Sequence, residues 1–567
     1  MQTKLKDTVK VIRSNLDILT AFLIFLIIRQ ILISKLPIYA ISTAAYDDKL
    51  MVDLALSLKN GDWLGAYSNT TFVKGIGFPL FLAVNNALNI DYLTASNLFY
   101  SFSCLYFVLA IKPICKHKWS HLFILIILLL NPVSYALKTL QRVYRNGITM
   151  GQVLLITGSL FGFYFRTTER LWKLWLQAVI GGIALAWLWN TREDGFWMLP
   201  FLFVAIILTI LKITKNHTQL NIKERATRIL ITFIPCFLLV LSIVSISSIN
   251  QYYYGTFLTT EVSSGNFPEA MKALYKIDPG KSEAEENNTR LSIPYSTVEL
   301  AYSASPTLNS IRTEFDTALK TWGQYADSHP GDGETENGWF FWALRMAANN
   351  AGKYTDSVTS EAFFSSIAEE LNAAFESGIL SERTTMPSAL MAPWKSYFLK
   401  PYIQSCFRSI QFISTFEDVS AEEIISPNET GYVATFEELT GNQAIISIDE
   451  ITQSNISIKT LNMITSVYRF LGPILGITAL AAYLLLLFQW IKDRKNLFLQ
   501  NLLLCLTGLA ASLVVLVLGV AYSDVTSFPS INYMYLSGAY PLYLSFITIA
   551  SSYLFDSIQS FVTLKIK

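Results

Sequence analysis

Leu497-Phe-Leu-Gln-Asn-Leu-Leu-Leu-Cys-Leu-Thr-Gly-Leu-Ala-Ala-Ser-Leu-Val-Val-Leu-Val-Leu-Gly-Val520 runs for 24 residues without a charged side chain. A helix of roughly 20 apolar residues crosses the ~30 Å hydrocarbon core of a bilayer. The segment therefore reads as a membrane span, and a helical one, because lipid offers no partner to an open backbone. Similar runs lie to either side of it, near 462–489 and 532–554. Upstream they recur at Leu16–Leu36, 92–112, 119–137, 148–165, 171–189, 196–212 and 228–249. The expected fold class is an all-α polytopic membrane protein with about ten transmembrane helices.

Composition agrees. Of 567 residues 52% are hydrophobic and 15% charged, against about 25% charged in soluble domains. The net charge of +1 hides a division. Residues 252–460 hold 28 acidic and 13 basic side chains, and the remainder holds 14 and 30. A long acidic stretch inside a basic membrane body reads as an extracytoplasmic domain. The expected domains are a membrane module over 1–250, whose first outer loop covers 37–91, an outer domain over 251–460, and C-terminal membrane helices over 461–567. Five scattered cysteines give neither a disulfide framework nor a zinc spacing. Four histidines offer little for a metal site, so neither cofactor nor metal is assigned.

Lys4, Lys6, Lys10 and Arg13 precede the first span and place the N-terminus inside, as a retained anchor despite the small residues Ser42-Thr43-Ala44. The loops Lys116–Lys118, Arg166–Lys173, Lys212–Arg228 and Lys492–Lys495 and the Lys565–Lys567 tail then all lie inside, which satisfies the positive-inside rule. That register requires residues 75–90, which open Gly-Ile-Gly-Phe-Pro, to lie along the outer surface.

The outer face should then be poor in bases, yet three short segments are not. The first loop carries Asp47-Asp48, Gly61-Asp62-Trp63 and Lys74-Gly75-Ile-Gly-Phe-Pro79. The second carries Gln141-Arg142-Val-Tyr144-Arg145-Asn146, and the third Asn190-Thr-Arg192-Glu193-Asp194-Gly195. Ionisable groups at membrane helix ends are functional candidates by default, and arginine forks and a lysine suit phosphate. A site for an anionic head group whose tail stays in the bilayer would combine Lys74, Arg142, Arg145 and Arg192 with Tyr144, Glu193 and Asp194. Plainer readings compete. Asp47-Asp48 is also a plausible helix cap, Arg192 with Glu193 or Asp194 a loop-sealing pair, and Arg142, Arg145 and the span residue Arg29 snorkelling side chains. For Arg29 snorkelling is the preferred account.

The ordered set Asp47-Asp48, Gly61-Asp62-Trp63 and Lys74-Gly75 with Pro79 resembles the GT-C class of integral-membrane glycosyltransferases. The resemblance covers about residues 15–200 in motif and all the spans in topology. Arg192–Gly195 and Gly338-Trp-Phe-Phe-Trp-Ala-Leu-Arg345 resemble a bacterial group within that class that carries a large extracytoplasmic domain between spans. The resemblance implies sugar transfer from a polyprenyl-phosphate donor to an envelope glycan, lipid or protein, at the outer face of the plasma membrane of a bacterium. It implies Asp47 as general base, Asp48 as its support, and Lys74, Arg142, Arg145 and Arg192 around the leaving phosphate, with inversion at the sugar. A flippase for a lipid-linked saccharide and a non-catalytic envelope assembly protein are the alternatives. Nucleic-acid binding is excluded by the scatter of the bases over inner loops.

Within the outer domain, Gly338–Gly352 and Thr359–Gly378 show helical period and are expected to form an αα-hairpin. Tyr432–Phe436 and Gln443–Ile458 alternate and predict a small β-hairpin turning at Gly441-Asn442. Trp339, Phe340, Phe341 and Trp342 point to several faces of one helix, so packing accounts for most of them and sugar stacking is the sharper alternative.

Overall fold

The computed structural model describes residues 15–566 except 116, 216–219, 281–286, 326–333, 385–390, 427–430 and 445–447. The N-terminal bases, Lys116 and Lys567 lie outside the described residues. Among the described residues eight helices are long and apolar enough to cross a membrane: Leu16–Ile33, Tyr92–Ile114, Asn146–Phe165, Leu171–Thr191, Gly195–Lys215, Ile222–Tyr254, Glu450–Lys492 and Leu497–Thr526. Two of the ten expected spans do not meet that standard. The segment 119–137 forms only a short helix, Lys118–Leu129, before it breaks at Asn131-Pro132 into a 3-10 turn and a π turn, Leu137–Gln141. The last expected span lies in the helix Ala539–Ile566, which is interrupted by polar residues.

The helices used below are numbered in chain order. The membrane module holds α1 (Leu16–Ile33), α2 (Asp48–Asn60), α3 (Gly77–Ala87), α4 (Tyr92–Ile111), α5 (Lys118–Leu129), α6 (Asn146–Phe165), α7 (Leu171–Thr191), α8 (Leu199–Lys215), α9 (Ile222–Thr232) and α10 (Ile234–Tyr254). The outer region holds α11 (Asn266–Lys276), α12 (Tyr295–Ala304), α13 (Arg312–Gly323), α14 (Asn337–Asn350), α15 (Ser357–Glu376), α16 (Leu399–Thr415) and α17 (Tyr432–Thr440). The chain ends in α18 (Ile448–Lys492), α19 (Leu497–Thr526) and α20 (Ala539–Ile566).

Segment 75–90 contains α3, eleven residues long and too short to span, packed on α2 and α7. One apolar core joins the membrane helices through Phe107, Leu128, Val153, Leu506 and Tyr540. A second fills the outer region with Phe267, Phe315, Phe340, Leu344 and Phe364. A third ties the first outer loop to α17 through Met51, Phe78, Tyr144, Val433 and Phe436.

Three sequence expectations change. The stretch 432–440 is the helix α17, because Val433, Phe436 and Leu439 recur at helical spacing and are all buried, and Gly441 closes it in the left-handed conformation at φ +66°. No β-strand occurs among the described residues, only isolated bridges Tyr39–Arg142 and Ile277–Glu382. α14 and α15 form as expected, but each has another principal partner: α14 packs on α13 and α15 on α11. Arg29 does not snorkel. It is 2% exposed inside the bundle, where it donates to Asn97 Oδ1 at 2.9 Å, to Ser134 Oγ at 3.0 Å and to the Leu129 carbonyl. It thereby caps the broken end of α5, and the Tyr100 ring lies 5.2 Å from its guanidinium carbon.

Candidate functional site

Three loops converge where α6 begins and α7 ends. The chain leaves α1, and Tyr39 N–H donates to the Gln141 carbonyl at 2.8 Å, which sets the start of the first loop beside Arg142. Asp47 occupies the N-cap position of α2, but its side chain makes no capping bond. The carboxylate is turned instead toward Lys74 Nζ at 2.9 Å and accepts from Tyr144 Oη at 2.8 Å. Both contacts fall on Oδ1. Asp48 is pinned differently: Arg142 Nε donates to its Oδ1 at 2.7 Å and Arg142 Nη2 holds Oδ2. Its side chain is 4% exposed, against 44% for Asp47. Gly61-Asp62-Trp63 lies apart from these groups. Gly61 closes α2 at φ +83°, and Trp63 Nε1 donates to Asn250 Oδ1 at 2.7 Å.

The Lys-Gly-x-Gly element is set by close approach. A Cβ on Gly75 would overlap the Asn190 carbonyl at the end of α7, and one on Gly77 would meet the same oxygen at 2.8 Å. The two glycines let the loop lie directly on α7. Gly75 N–H then donates to Glu193 Oε1 at 3.0 Å, and Arg145 binds the other Glu193 oxygen. Arg192 grips Asp194 with two bonds, at 2.7 and 2.6 Å, and donates to Asn146 Oδ1 at 2.6 Å. Arg192 thus pairs with Asp194 rather than Glu193. Snorkelling is not realised for Arg142 or Arg145, which turn inward, with the Tyr144 ring 4.8 and 5.4 Å from their guanidinium carbons.

Four cations, Lys74, Arg142, Arg145 and Arg192, therefore meet four carboxylates, and each has a partner. Burial opposes ionisation of Asp47, but Lys74 and the Tyr144 hydroxyl outweigh it and hold the carboxyl well below the usual range. Burial pushes Asp48 the other way, against the Arg142 fork. Burial also opposes ionisation of Glu193, and Arg145 with Lys74 outweighs it, so its pKa is lowered. The acid pair is thus split into one half-buried, firmly ionised group and one fully buried group. Among the described residues no three His, Cys, Asp or Glu side chains converge as a metal site.

Among the neighbours, Tyr46, Trp322 and Tyr535 were not singled out by their sequence. Tyr46 lies against Trp342 of α14 with ring centres 4.8 Å apart, and Lys74 Nζ sits 5.9 Å from the Trp342 ring. Trp342 in turn stacks on Trp322, which stacks on Trp339. Of the four consecutive aromatics, Phe340 is fully buried and Phe341 packs on Phe267, whereas Trp339 and Trp342 border the site. Asn146 and Tyr535 complete the surroundings. Only its place in the fold marks Tyr46, Trp322 or Tyr535; a lone aromatic near a helix end carries no sequence signal.

A cavity of about 510 Å³ opens beside Arg145, Arg192, Glu193 and Asp194 and extends between α8 and α19 past Trp197, Pro200, Leu516 and Gly519. It shares Trp197, Pro200 and Val515 with a second, apolar hollow of about 230 Å³ lined by Leu160, Phe201, Val204, Leu504 and Gly508. Together they form a path from the charged cluster down between membrane helices. The first volume lies in the range of small-ligand sites. No protein-family model matches this chain, and no curated protein matches it.

Proposed function

We propose that this chain is a GT-C-type glycosyltransferase that takes a sugar from a polyprenyl-phosphate donor and passes it to an extracytoplasmic acceptor. The observation that carries this reading is the charged cluster at the head of an apolar path between α8 and α19. A phosphate held by fixed cations, joined to a tail that never leaves the bilayer, matches that junction of chemistries.

The residues divide the work. Asp47 Oδ1 is occupied by Lys74 and Tyr144, which leaves Oδ2 on a 44% exposed side chain to accept the proton of an acceptor hydroxyl. Attack on the anomeric carbon breaks its bond to the phosphate oxygen, inverts the sugar and leaves the negative charge on the lipid phosphate. Lys74, Arg145 and Arg192 stabilise that charge. The cluster is neutral as it stands, so an entering phosphate competes for Lys74. Drawing Lys74 away frees Asp47 and makes it a stronger base as the donor binds. Asp48 has both oxygens in the Arg142 fork and acts as a positioning residue. Tyr46, Trp322, Trp339 and Trp342 form the wall on the acceptor side.

The test compares envelope glycans, by mass spectrometry and NMR, from a deletion strain complemented with wild type or Asp47→Asn. Loss of one sugar substituent despite normal membrane insertion supports the transferase. Full restoration by the variant removes it. A flippase is the second reading, favoured by the helix break at Asn131-Pro132 beside the buried Arg29. It predicts lipid-linked sugar crossing vesicle bilayers without any transfer.

A further inference from the structure

We propose that α16, inside the acidic outer stretch, is embedded in the outer leaflet of the bilayer and presents a lipid-binding face. This inference is independent of the transferase reading.

The helix has three sectors. Leu399, Ile403, Phe407 and Ile410 follow one another at helical spacing and are 55%, 46%, 71% and 49% exposed. Lys400, Gln404, Arg408 and Gln411 form an adjoining exposed polar strip. Ser405, Ser409, Phe412 and Ile413 form the third sector and are buried. A helix at the surface of a water-soluble domain has two sectors, one buried and one polar. A third sector of large aliphatic and aromatic side chains requires another apolar phase.

Its depth identifies that phase. Tyr402 Oη donates to the Leu518 carbonyl of α19 at 3.2 Å, and Ser405 Oγ donates to Asp524 Oδ2 at 2.9 Å. At the other end the Ser414 carbonyl lies so close to Gly472 of α18 that a Cβ there would overlap it. Arg469 Nη2 donates to the Val419 carbonyl at 2.7 Å. Counting from the basic Lys492–Lys495 loop at about 1.5 Å per residue, Gly472 stands about 30 Å away and Leu518 about 35 Å, close to the ~30 Å thickness of the hydrocarbon core. α16 therefore lies across α18 and α19 at the outer boundary of the hydrocarbon. Its apolar face continues that of α18, where Phe470, Ile474 and Ile477 are 71%, 47% and 74% exposed. Trp394, Tyr402 and Tyr522 cluster at its start, with ring centres 5.7 to 6.1 Å apart. Amphipathic rings gather at this level of a membrane. Arg408 pairs with Glu417, keeping its charge on the polar strip.

The consequence is that the acidic stretch does not merely stand over the membrane. It dips into it and braces the outer end of α19, which forms one wall of the apolar path.

The test uses the wild-type protein in lipid nanodiscs containing a phosphatidylcholine with a photoreactive diazirine on its acyl chain. Peptides are mapped by mass spectrometry after irradiation. The proposal expects lipid adducts on Leu399–Gln411 at a level comparable to those on Phe470–Ile477. Adducts on the α18 face with none on α16, or α16 cross-linked to a second copy of the chain instead, would overturn it. A second measurement places nitroxides at Phe407→Cys and at Gln404→Cys in a Cys406→Ser background and compares collision with oxygen and with a water-soluble nickel chelate. The oxygen-to-nickel ratio should be several-fold higher at 407 than at 404. Equal, water-like ratios would refute the placement.

Discussion

Arg345 offers the sharpest test of how the outer domain and the first loop are joined. Its guanidinium, with a side chain 1% exposed, donates from Nη1 to Glu261 Oε2 at 2.5 Å and from Nη2 to the Asn69 carbonyl. Rings of Phe267, Phe341 and Tyr354 lie 5.2 to 5.7 Å from it. Glu261, also 1% exposed, accepts from Tyr67 at 3.1 Å and Tyr354 at 3.3 Å, and its N–H donates to the Phe72 carbonyl two residues before Lys74. Replacing Arg345 by Met leaves a buried carboxylate without its cation. Breaking one side of such a pair costs about 3–5 kcal/mol. At about 2–4 °C per kcal/mol for a domain of ~200 residues, the melting temperature should fall by about 6–20 °C. Arg345→Met/Glu261→Gln should recover most of that loss, because Gln carries no charge and can accept from one tyrosine hydroxyl through Oε1 while its Nε2 donates to the other. The assay is thermal unfolding in nanodiscs at one fixed scan rate, with Arg312→Ala as control. Arg312 joins Glu299 with side chains 45% and 43% exposed, and such pairs contribute about 0–1 kcal/mol. The reasoning fails if Arg345→Met melts with wild type, or if the double variant is no more stable than the single one.

Three further outcomes follow from the site and one from the buried Arg29. Lys74 holds the Asp47 carboxyl low, so the ion pair is intact above the ordinary carboxylate pKa of about 4 and is lost only as pH falls well below it. In Lys74→Met burial acts unopposed by that cation, so the acid limb of the transfer-rate profile should move to higher pH; an unchanged limb refutes the coupling. Arg142→Lys cannot reproduce the two-pronged grip on Asp48, and should lower transfer at least about tenfold, the loss of one charge-assisted bond of ~1.4 kcal/mol or more. Gly75→Ala must push the loop off the Asn190 carbonyl and break the bond to Glu193, so activity should fall sharply at normal expression, measured in membranes. Arg29→Lys offers a single ammonium where three acceptors are spread over α4, the end of α5 and the turn after it. It should therefore destabilise the bundle nearly as much as Arg29→Met in a thermal scan.

Sequence alone was sufficient for the membrane-helical class, because span length and lack of charge are local properties and lipid permits few alternatives. It also marked Lys74, Arg142, Arg145 and Arg192 as candidates, since bases at the helix ends expected to lie outside break the rule that the other loops obey, and Asp47-Asp48 as an acid pair in the same loops. It could not say which acids meet Lys74, Arg142 and Arg145. Those pairs join residues about 27 to 94 positions apart, and their partners follow from where α6 and α7 end. Local alternation misled at 432–440, where burial at helical spacing against α3 and the first loop outweighed the β-branched and aromatic preferences. Likewise Arg29 looked like a snorkelling residue one turn from a helix end, until the break after Leu129 supplied carbonyl and hydroxyl acceptors inside the bundle.

The division has a physical basis. Hydrophobic run length, charge asymmetry and glycine placement are written residue by residue, and they determined the helical class, the expected sidedness and the set of candidate side chains. Roles depend on what each side chain faces once distant segments pack. Only the tertiary structure separated the half-exposed Asp47 from the buried Asp48, set the aromatic helix α14 beside Lys74, and left one apolar face of α16 uncovered by the rest of the chain.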